Sequence, residues 1–261
     1  TSRYPSVRAS GAIRTLDALA LAVEGQGYGR VTFNGRPSLA DVRPFLARGW
    51  SARPTYSYAV ALGDLDEAWA RVEQNLRRLV RRSEEAGMRF SEDDDFDGFW
   101  ALHERTMERR DKATYLPRAA FRAFFDRLHR QGLATLMHAR NGDGRVVATS
   151  MILLGDYPTA HTVSAAADED TQKLGTNPFL RWSSFRALHE KGFRENDLTD
   201  ATLNPVTRFK SQLGGELVHS MEVDAPRAPR YRAAEAAASL RRAARGGLGR
   251  LARGVLRRDR G

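Results

Sequence analysis

Between residues 88 and 223 the apolar residues alternate between the spacing of a helix and the spacing of a strand. In chain order the pattern predicts a strand start, two helices and three antiparallel strands, followed by helix, strand, helix and strand. The predicted elements cover residues 88–90, 95–110, 118–130, 133–139, 146–154, 160–167, 178–191, 197–199, 205–213 and 217–223. This order predicts an α/β domain with a mixed, mostly antiparallel sheet that is flanked by helices.

The first part of the chain repeats the end of this order. A helix, a strand, a short helix and a second strand are predicted at 13–23, 31–33, 39–46 and 55–62. Because residues 178–223 have the same order, we expect the two parts to be related folds. The chain starts without Met and without a signal-peptide core, so we expect an upstream part to be missing.

A strongly amphipathic helix separates these two parts. Asp64 or Asp66 is its predicted cap, and Gly87 ends it. The domains are therefore predicted as the C-terminal part of a first domain, a linking helix, a second domain and a tail, at 1–63, 64–87, 88–226 and 227–261.

The tail carries most of the net charge. Residues 227–261 contain eleven Arg and two acidic residues, against a net charge of +10 for the whole chain. Helical spacing places one narrow apolar stripe opposite most of these arginines, at Leu240, Ala244, Leu248, Leu251 and Val255. Such a stripe favours attachment to an anionic membrane surface. Affinity for tRNA and a disordered basic tail are the alternatives.

Composition and motif spacing exclude several kinds of site. The chain has no Cys, which excludes disulfides, thiolate zinc sites and a cysteine nucleophile. It has no His-Glu-x-x-His metal motif and no Gly-x-Ser-x-Gly nucleophile elbow. No apolar run is long enough to span a membrane. We therefore expect a cytoplasmic protein without a metal, which the tail holds at the inner membrane face.

Four strings resemble motifs of one protein family. They are Gly49-Trp50 with Pro54 to Tyr58, Trp69 with Asn75 to Arg82, Thr106 to Arg109, and Phe209 to Glu216. In this order and spacing they resemble the Fem aminoacyl transferases of cell-wall synthesis, which carry two GNAT-like acyltransferase domains in tandem. The resemblance covers about residues 45–223. The chain departs from the family where its first domain lacks opening strands, and it has no coiled-coil arm.

The resemblance implies a reaction and its partners. A Fem-like enzyme moves an amino acid from aminoacyl-tRNA to an amine of a nucleotide-linked or lipid-linked peptidoglycan precursor, and it needs no further cofactor. The basic face of the linking helix, Arg77, Arg78, Arg81 and Arg82, then either contacts tRNA phosphates or is a solvated surface.

The resemblance also implies the site residues. Lys210 matches the family lysine that meets the phosphates of the precursor, and a Lys can act as a point charge on phosphate. Lys210 is therefore one catalytic candidate. Asp200, which follows the predicted strand 197–199, is the other and would orient the acceptor. Arg109, Thr106, Phe209, Gly215 and Tyr56 are the substrate-binding candidates. Solvated surface positions for Lys210 and Arg109, and a core position for Tyr56, are the alternatives.

A GNAT enzyme that uses acyl-CoA needs a glycine-rich pyrophosphate loop before a helix. The corresponding stretch is Gln172-Lys173-Leu174-Gly175-Thr176-Asn177-Pro178, where Asn177 replaces a small residue and Pro178 lacks an N–H donor. It is either a decayed CoA loop or an ordinary helix start with Asn177 as cap. Two rival functions remain: an N-acyltransferase with an acyl-CoA or acyl-carrier donor, and a non-catalytic membrane-associated scaffold.

Overall fold

A computed structural model describes residues 3–36, 39, 41–155, 158–203, 205–233 and 236–237. The chain divides into two compact units. The first combines residues 1–55 with 219–261, and the second is residues 56–218. The predicted α/β fold with a mixed sheet flanked by helices is confirmed. The division into the four predicted domains stays a prediction.

The elements follow the order that the sequence predicts. The helices are α1 Pro5–Glu24, α2 Arg43–Ala47, α3 Leu65–Arg71, α4 Gln74–Glu85, α5 Phe96–Arg109, α6 Arg118–His129, α7 Thr176–Glu190 and α8 Pro205–Gln212. The strands are β1 Arg30–Asn34, β2 Ser51–Ala61, β3 Arg89–Asp93, β4 Ala134–Arg140, β5 Val146–Leu153, β6 Thr159–Ala167, β7 Glu195–Asp197 and β8 Glu216–Pro226. A 3₁₀ turn, Glu169–Leu174, was not predicted and joins β6 to α7.

In the second unit the strands lie in the order β2-β7-β6-β5-β4-β3. All neighbours with a described register are antiparallel except β6 and β7, which are parallel. Helices α5 and α6 pack on one face of this sheet, where a row of aromatic rings meets Leu136 and Met151. Helices α4 and α7 pack on the other face, where Phe185, Leu188 and Ile152 are fully buried. Burying a side chain of this size stabilises the fold by about 1.5–3 kcal/mol.

In the first unit, β1 pairs with the end of β8 in antiparallel register from Arg30 and Pro226 to Asn34 and Glu222. Phe45 and Trp50 form the centre of a small core, with ring centroids 5.1 Å apart. Glu24 on α1 accepts hydrogen bonds from Arg48 and from the Trp50 indole. These bonds hold the pKa of Glu24 below its usual value and fix α1 against this core.

The predicted linking helix is not continuous. It is α3 and α4, with a break at Val72 and Glu73. Val72 is extended and buried, and the Glu73 N–H donates to the carbonyl of Gln212 instead of continuing the helix. The predicted cap at Asp64 is confirmed, because its carboxylate accepts from the N–H groups of Asp66 and Glu67.

The start of α7 differs from the helix start predicted with Asn177 as cap. The helix begins at Thr176, and Gly175 precedes it with φ +90°, so the cap assigned to Asn177 is wrong. A Cβ at Gly175 would lie 2.5 Å from the Leu79 carbonyl oxygen. The adjacent Leu174 carbonyl accepts from the Ser83 hydroxyl at 2.7 Å. The close approach of α4 therefore requires this glycine.

Within the described residues no helix is long and apolar enough to cross a membrane. The apolar stripe predicted for the tail lies outside the described residues. Membrane attachment through the tail stays a prediction.

Two glycines with the same backbone conformation separate the cost of positive φ from the cost of close packing. Gly192 also has φ +90°, but a Cβ there would meet nothing within 4 Å. We expect Gly192→Ala to lower the free energy of unfolding by about 1 kcal/mol and Gly175→Ala by about 3 kcal/mol, because overpacking adds to the backbone strain. Urea unfolding measures both. Equal losses would mean that α4 does not constrain Gly175.

Candidate active site

The candidate site begins where β6 and β7 part. These strands are paired only from Thr159 opposite Glu195 to His161 opposite Asp197. Beyond this point β6 continues to Ala167, and in the described part of the chain no strand pairs with this edge over residues 163–167. The sequence there is Val-Ser-Ala-Ala-Ala. Small side chains and free backbone hydrogen-bonding groups suit an extended substrate.

The loop after β7 closes one end of the open edge. Thr199 and Asp200 have φ of +47° and +38°, a conformation that costs free energy for residues other than Gly. The Thr199 hydroxyl donates to the carbonyl of Thr162 at 2.8 Å. The N–H groups of Leu198 and Ala201 donate to the carbonyls of Tyr58 and Tyr56 on β2. The loop is thus held between β6 and β2 in a strained form.

Lys210 on α8 brings together the two predicted catalytic candidates. Its ammonium group donates to the carbonyl oxygens of Thr199 and Asp200. Burial, together with the positive charge of Arg181, lowers the pKa of Lys210. The charges of Asp200 and Asp197 offset part of this effect. The carboxylate of Asp200 is exposed and accepts from the Thr202 N–H at 3.1 Å.

Arg181 on α7 is a buried cation near Lys210. Its side chain is buried, with 8% of the residue exposed. One terminal nitrogen of its guanidinium group has no hydrogen-bond partner among the described residues, and no ion pair to Arg181 is present there. Burial lowers its pKa to about 10. A buried cation without a carboxylate is costly, and a bound anion would offset this cost.

His161 and Asp197 form a hydrogen bond at the point where the strands separate. The His161 Nδ1 and Asp197 Oδ2 atoms are 3.1 Å apart. Burial alone would raise the pKa of Asp197, but hydrogen bonds from His161, Thr199 and Ser57 outweigh it and hold the pKa below its usual value. Asp197 is therefore ionised, and its carboxylate accepts a hydrogen bond from Thr199 of the strained loop.

Arg109 and Thr106 lie on α5, on the other face of the sheet from α7. The Arg109 guanidinium contacts the Glu169 carboxylate at 3.1 Å, just after β6. Thr106 is buried, and its hydroxyl has no hydrogen-bond partner within the described residues. Lys210 is linked through Thr199 to Thr162 of β6, whereas Arg109 contacts Glu169, which follows the end of this strand. The two cations therefore meet β6 at different points along the strand.

The remaining predicted residues, Phe209, Gly215 and Tyr56, contact the elements that form the site. Phe209 packs partly buried against the core between the sheet and α4 and α7. A Cβ at Gly215 would lie 2.8 Å from the Lys210 carbonyl oxygen, so this glycine lets β8 begin close to α8. Tyr56 is 48% exposed and contributes its backbone carbonyl to the loop. Their roles in substrate binding stay predictions.

Sequence reasoning missed Arg181 and the His161–Asp197 pair. The one signal for Arg181 was a charged residue inside the apolar run from Phe179 to Trp182. The hydrogen bond between His161 and Asp197 joins residues on two strands, and no local pattern indicates it.

Comparison with known proteins identifies the family. A model described as an acetyltransferase (GNAT) domain matches residues 70–211, more than half of the chain. The chain belongs to this family. Its fold is the transferase fold of GNAT proteins, as the sequence predicts. No curated protein matches the chain by sequence.

Solved structures show the same fold. FemX aligns with a TM-score of 0.67 at 13% identity, covering 81% of this chain and 75% of FemX. The C-terminal domain of a putative lysylphosphatidylglycerol synthetase from Agrobacterium fabrum aligns with a TM-score of 0.58 at 16% identity, covering 84% and 74%. L-PGS from Bacillus licheniformis aligns with a TM-score of 0.55 at 15% identity, covering 78% and 70%. The predicted likeness to the Fem proteins is thus confirmed for the fold.

The cost of the buried Arg181 predicts a gain in stability on its removal. We expect Arg181→Met to raise the free energy of unfolding by about 1 kcal/mol, because a methionine fills similar volume without a buried charge. Arg186→Met, at an exposed position of the same helix, is the matched control and should change it by less than about 0.5 kcal/mol. Urea unfolding measures both variants. A loss of several kcal/mol in Arg181→Met would instead make Arg181 a structural residue.

Proposed function

We propose that this GNAT protein transfers an aminoacyl group from aminoacyl-tRNA to an amine of a peptidoglycan precursor. The observation that carries the proposal is the pair of partly or fully buried cations, Lys210 and Arg181, beside an open strand edge. Both substrates of such a reaction carry phosphates. The fold shared with FemX and with two lysylphosphatidylglycerol synthetases supports this class of donor.

The donor is proposed to lie on the side of α7. In a GNAT enzyme the donor's phosphates meet the start of this helix. Here the space at Gly175 is filled by the backbone of Leu79, and Pro178 lacks an N–H group. These residues fit a CoA pyrophosphate poorly. Arg181 and Lys210, further along the same side, fit a phosphate of the terminal nucleotides of tRNA.

The acceptor is proposed to lie on the side of α5. Arg109 is partly exposed there and its ion pair with Glu169 is open to solvent, so a phosphate of the precursor can replace that carboxylate. Thr106 lies one turn before Arg109 on α5. In this assignment Lys210 binds the donor and Arg109 binds the precursor. The resemblance to the Fem family implies instead that Lys210 binds the precursor.

The proposed reaction needs positioning more than a strong catalytic group. The acceptor amine attacks the ester carbonyl carbon, a C–N bond forms, and the bond from that carbon to the ribose oxygen breaks. The proton that the amine loses ends on the ribose oxygen. Lys210 and the strained loop at Thr199 and Asp200 would hold the donor ester at the open edge of β6 for this attack. No cofactor is proposed.

A donor assay tests the proposed function directly. Purified protein is supplied with radiolabelled aminoacyl-tRNA pools or acetyl-CoA, and with nucleotide-linked or lipid-linked muramyl pentapeptide. We expect transfer from aminoacyl-tRNA and none from acetyl-CoA. Transfer from acetyl-CoA alone would establish an N-acyltransferase with an acyl-CoA donor instead. Transfer from neither donor would favour a non-catalytic scaffold.

Single substitutions test which substrate each cation meets. Lys210→Ala is expected to raise KM for aminoacyl-tRNA about tenfold or more, and Arg109→Gln to raise KM for the precursor by a similar factor, since each removes a charge-assisted hydrogen bond. Lys112→Ala, at an exposed position after α5, is the control and should leave both KM values unchanged. Steady-state kinetics with one substrate varied at a time gives these values. If the two variants affect the opposite substrates, the assignment of the two sides is reversed.

A further inference from the structure

His103 on α5 is a wholly buried histidine in the second unit, on the other face of the sheet from Arg181. Its ring packs among Phe99, Trp100 and Phe121, with centroids 5.4, 5.8 and 5.6 Å away. Its Nδ1 atom lies 3.2 Å from the hydroxyl oxygen of Ser164 on β6. Among the described residues, the Ser164 hydroxyl is the polar contact that orients the His103 ring.

Ser164 occupies a special place on β6. The register between β5 and β6 shifts between Met151 and Ile152, so Met151 faces Ser164 while Ile152 faces Thr162. Val163 is the extra residue of this bulge. Ser164 is half-buried and belongs to the open edge of residues 163–167, on the face of the sheet that α5 covers. The hydroxyl therefore lies where the open edge meets the side proposed for the acceptor.

In the described ranges no carboxylate forms an ion pair or a hydrogen bond with His103. Burial lowers its pKa, and Glu104 on the same helix offsets only part of this effect. The connection between α5 and α6 presents the phenol ring of Tyr115, 6.3 Å away. The other groups that face the ring, from α6 and β6, are uncharged. His103 is therefore a neutral imidazole at neutral pH, and such a ring can accept a proton.

Two further polar atoms on the inner face of α5 have no partner in the part of the chain that the structure describes. They are the His103 Nε2 atom and the hydroxyl of Thr106, one turn later. Unpartnered buried polar groups cost free energy and are uncommon in proteins. Apolar residues at these positions would extend the aromatic core around Phe99. A role in the reaction would account for the polar residues His103 and Thr106 at these buried positions.

We propose that Ser164 and His103 form a proton relay for the acceptor amine. As the amine attacks, Ser164 accepts a proton from its nitrogen and passes its own hydroxyl proton to Nδ1 of His103. When the bond to the ribose oxygen breaks, the proton returns through Ser164 to that oxygen, so no proton is gained or lost. Ser164 touches the substrate, and His103 acts through Ser164 as a positioning and proton-holding residue. The relay rests on the proposed transfer to an amine. With a different donor the proton would return through Ser164 to the leaving atom of that donor.

Kinetics of two variants tests the relay. His103→Gln and Ser164→Ala are each expected to lower kcat about 100-fold with little change in either KM, the usual effect of losing general-base assistance. In the wild type, kcat falls in acid as His103 gains a proton, and this acid limb is expected to disappear in His103→Gln. The controls are Ser150→Ala, a buried serine on the neighbouring strand, and His129→Gln on α6. A His103→Gln enzyme with the wild-type kcat and pH profile would overturn the relay.

A spectroscopic measurement keeps the relay testable if His103→Gln fails to fold or if the donor differs. Nitrogen-15 NMR of the wild-type histidines should show His103 neutral at pH 7, with its proton on Nε2 and with Nδ1 as hydrogen-bond acceptor. Ser164→Ala should shift the Nδ1 resonance alone. A charged His103, or a proton on Nδ1, would overturn the relay even if transfer from aminoacyl-tRNA is observed. If the wild type transfers only from acetyl-CoA, the proposed donor is wrong, and the same variants test the relay with that donor.

Discussion

The site depends on the short parallel pairing between β6 and β7. Antiparallel neighbours hold the other described strand pairs of the second unit, but these two strands share only three residue pairs and separate after His161 and Asp197. Separation inside a sheet leaves backbone groups without partners, which is costly unless something fills the gap. The Thr199 hydroxyl and the Lys210 ammonium fill the near end. In the part of the chain that the structure describes, no strand pairs with the rest of this edge.

The charged residues around this edge lower the stability of the protein without a ligand and favour the binding of an anion. Among the described residues Arg181 is buried without an acidic partner, Lys210 is held against carbonyl groups, and the loop at Thr199 and Asp200 has positive φ. Each of these features costs free energy in the protein without a ligand. An anion between Arg181 and Lys210 would offset the largest of these costs. In this account the second unit is stable because of its two aromatic and aliphatic cores, which tolerate a strained site at one end of the sheet.

The sequence predicted the elements well because the spacing of apolar residues directly reflects which side chains face the core. It placed β7 two residues late, because the positive φ at Thr199 and Asp200 ends the strand earlier than the apolar pattern does. It also missed the break at Val72, which is caused by a hydrogen bond to Gln212, far along the chain.

The site was predicted only in part, and for similar reasons. Lys210 was found through a local string that resembles a family motif and Asp200 through its position after a predicted strand, and they do lie together. Arg181, His161 and the pair of His103 with Ser164 depend on contacts between distant elements, which one sequence does not reveal. The sequence also did not show that Lys210 and Arg109 meet β6 at different points, which divides the site into two sides.

The most direct test of this account is a crystal structure with a stable donor analogue, in which an amide replaces the ester between an amino acid and a cytidine-cytidine-adenosine trinucleotide. We predict a phosphate of the trinucleotide within hydrogen-bonding distance of both Arg181 and Lys210, and the aminoacyl group against residues 163–167 of β6. A trinucleotide bound away from these cations would contradict the account, as would CoA bound with its pyrophosphate at residues 172–178.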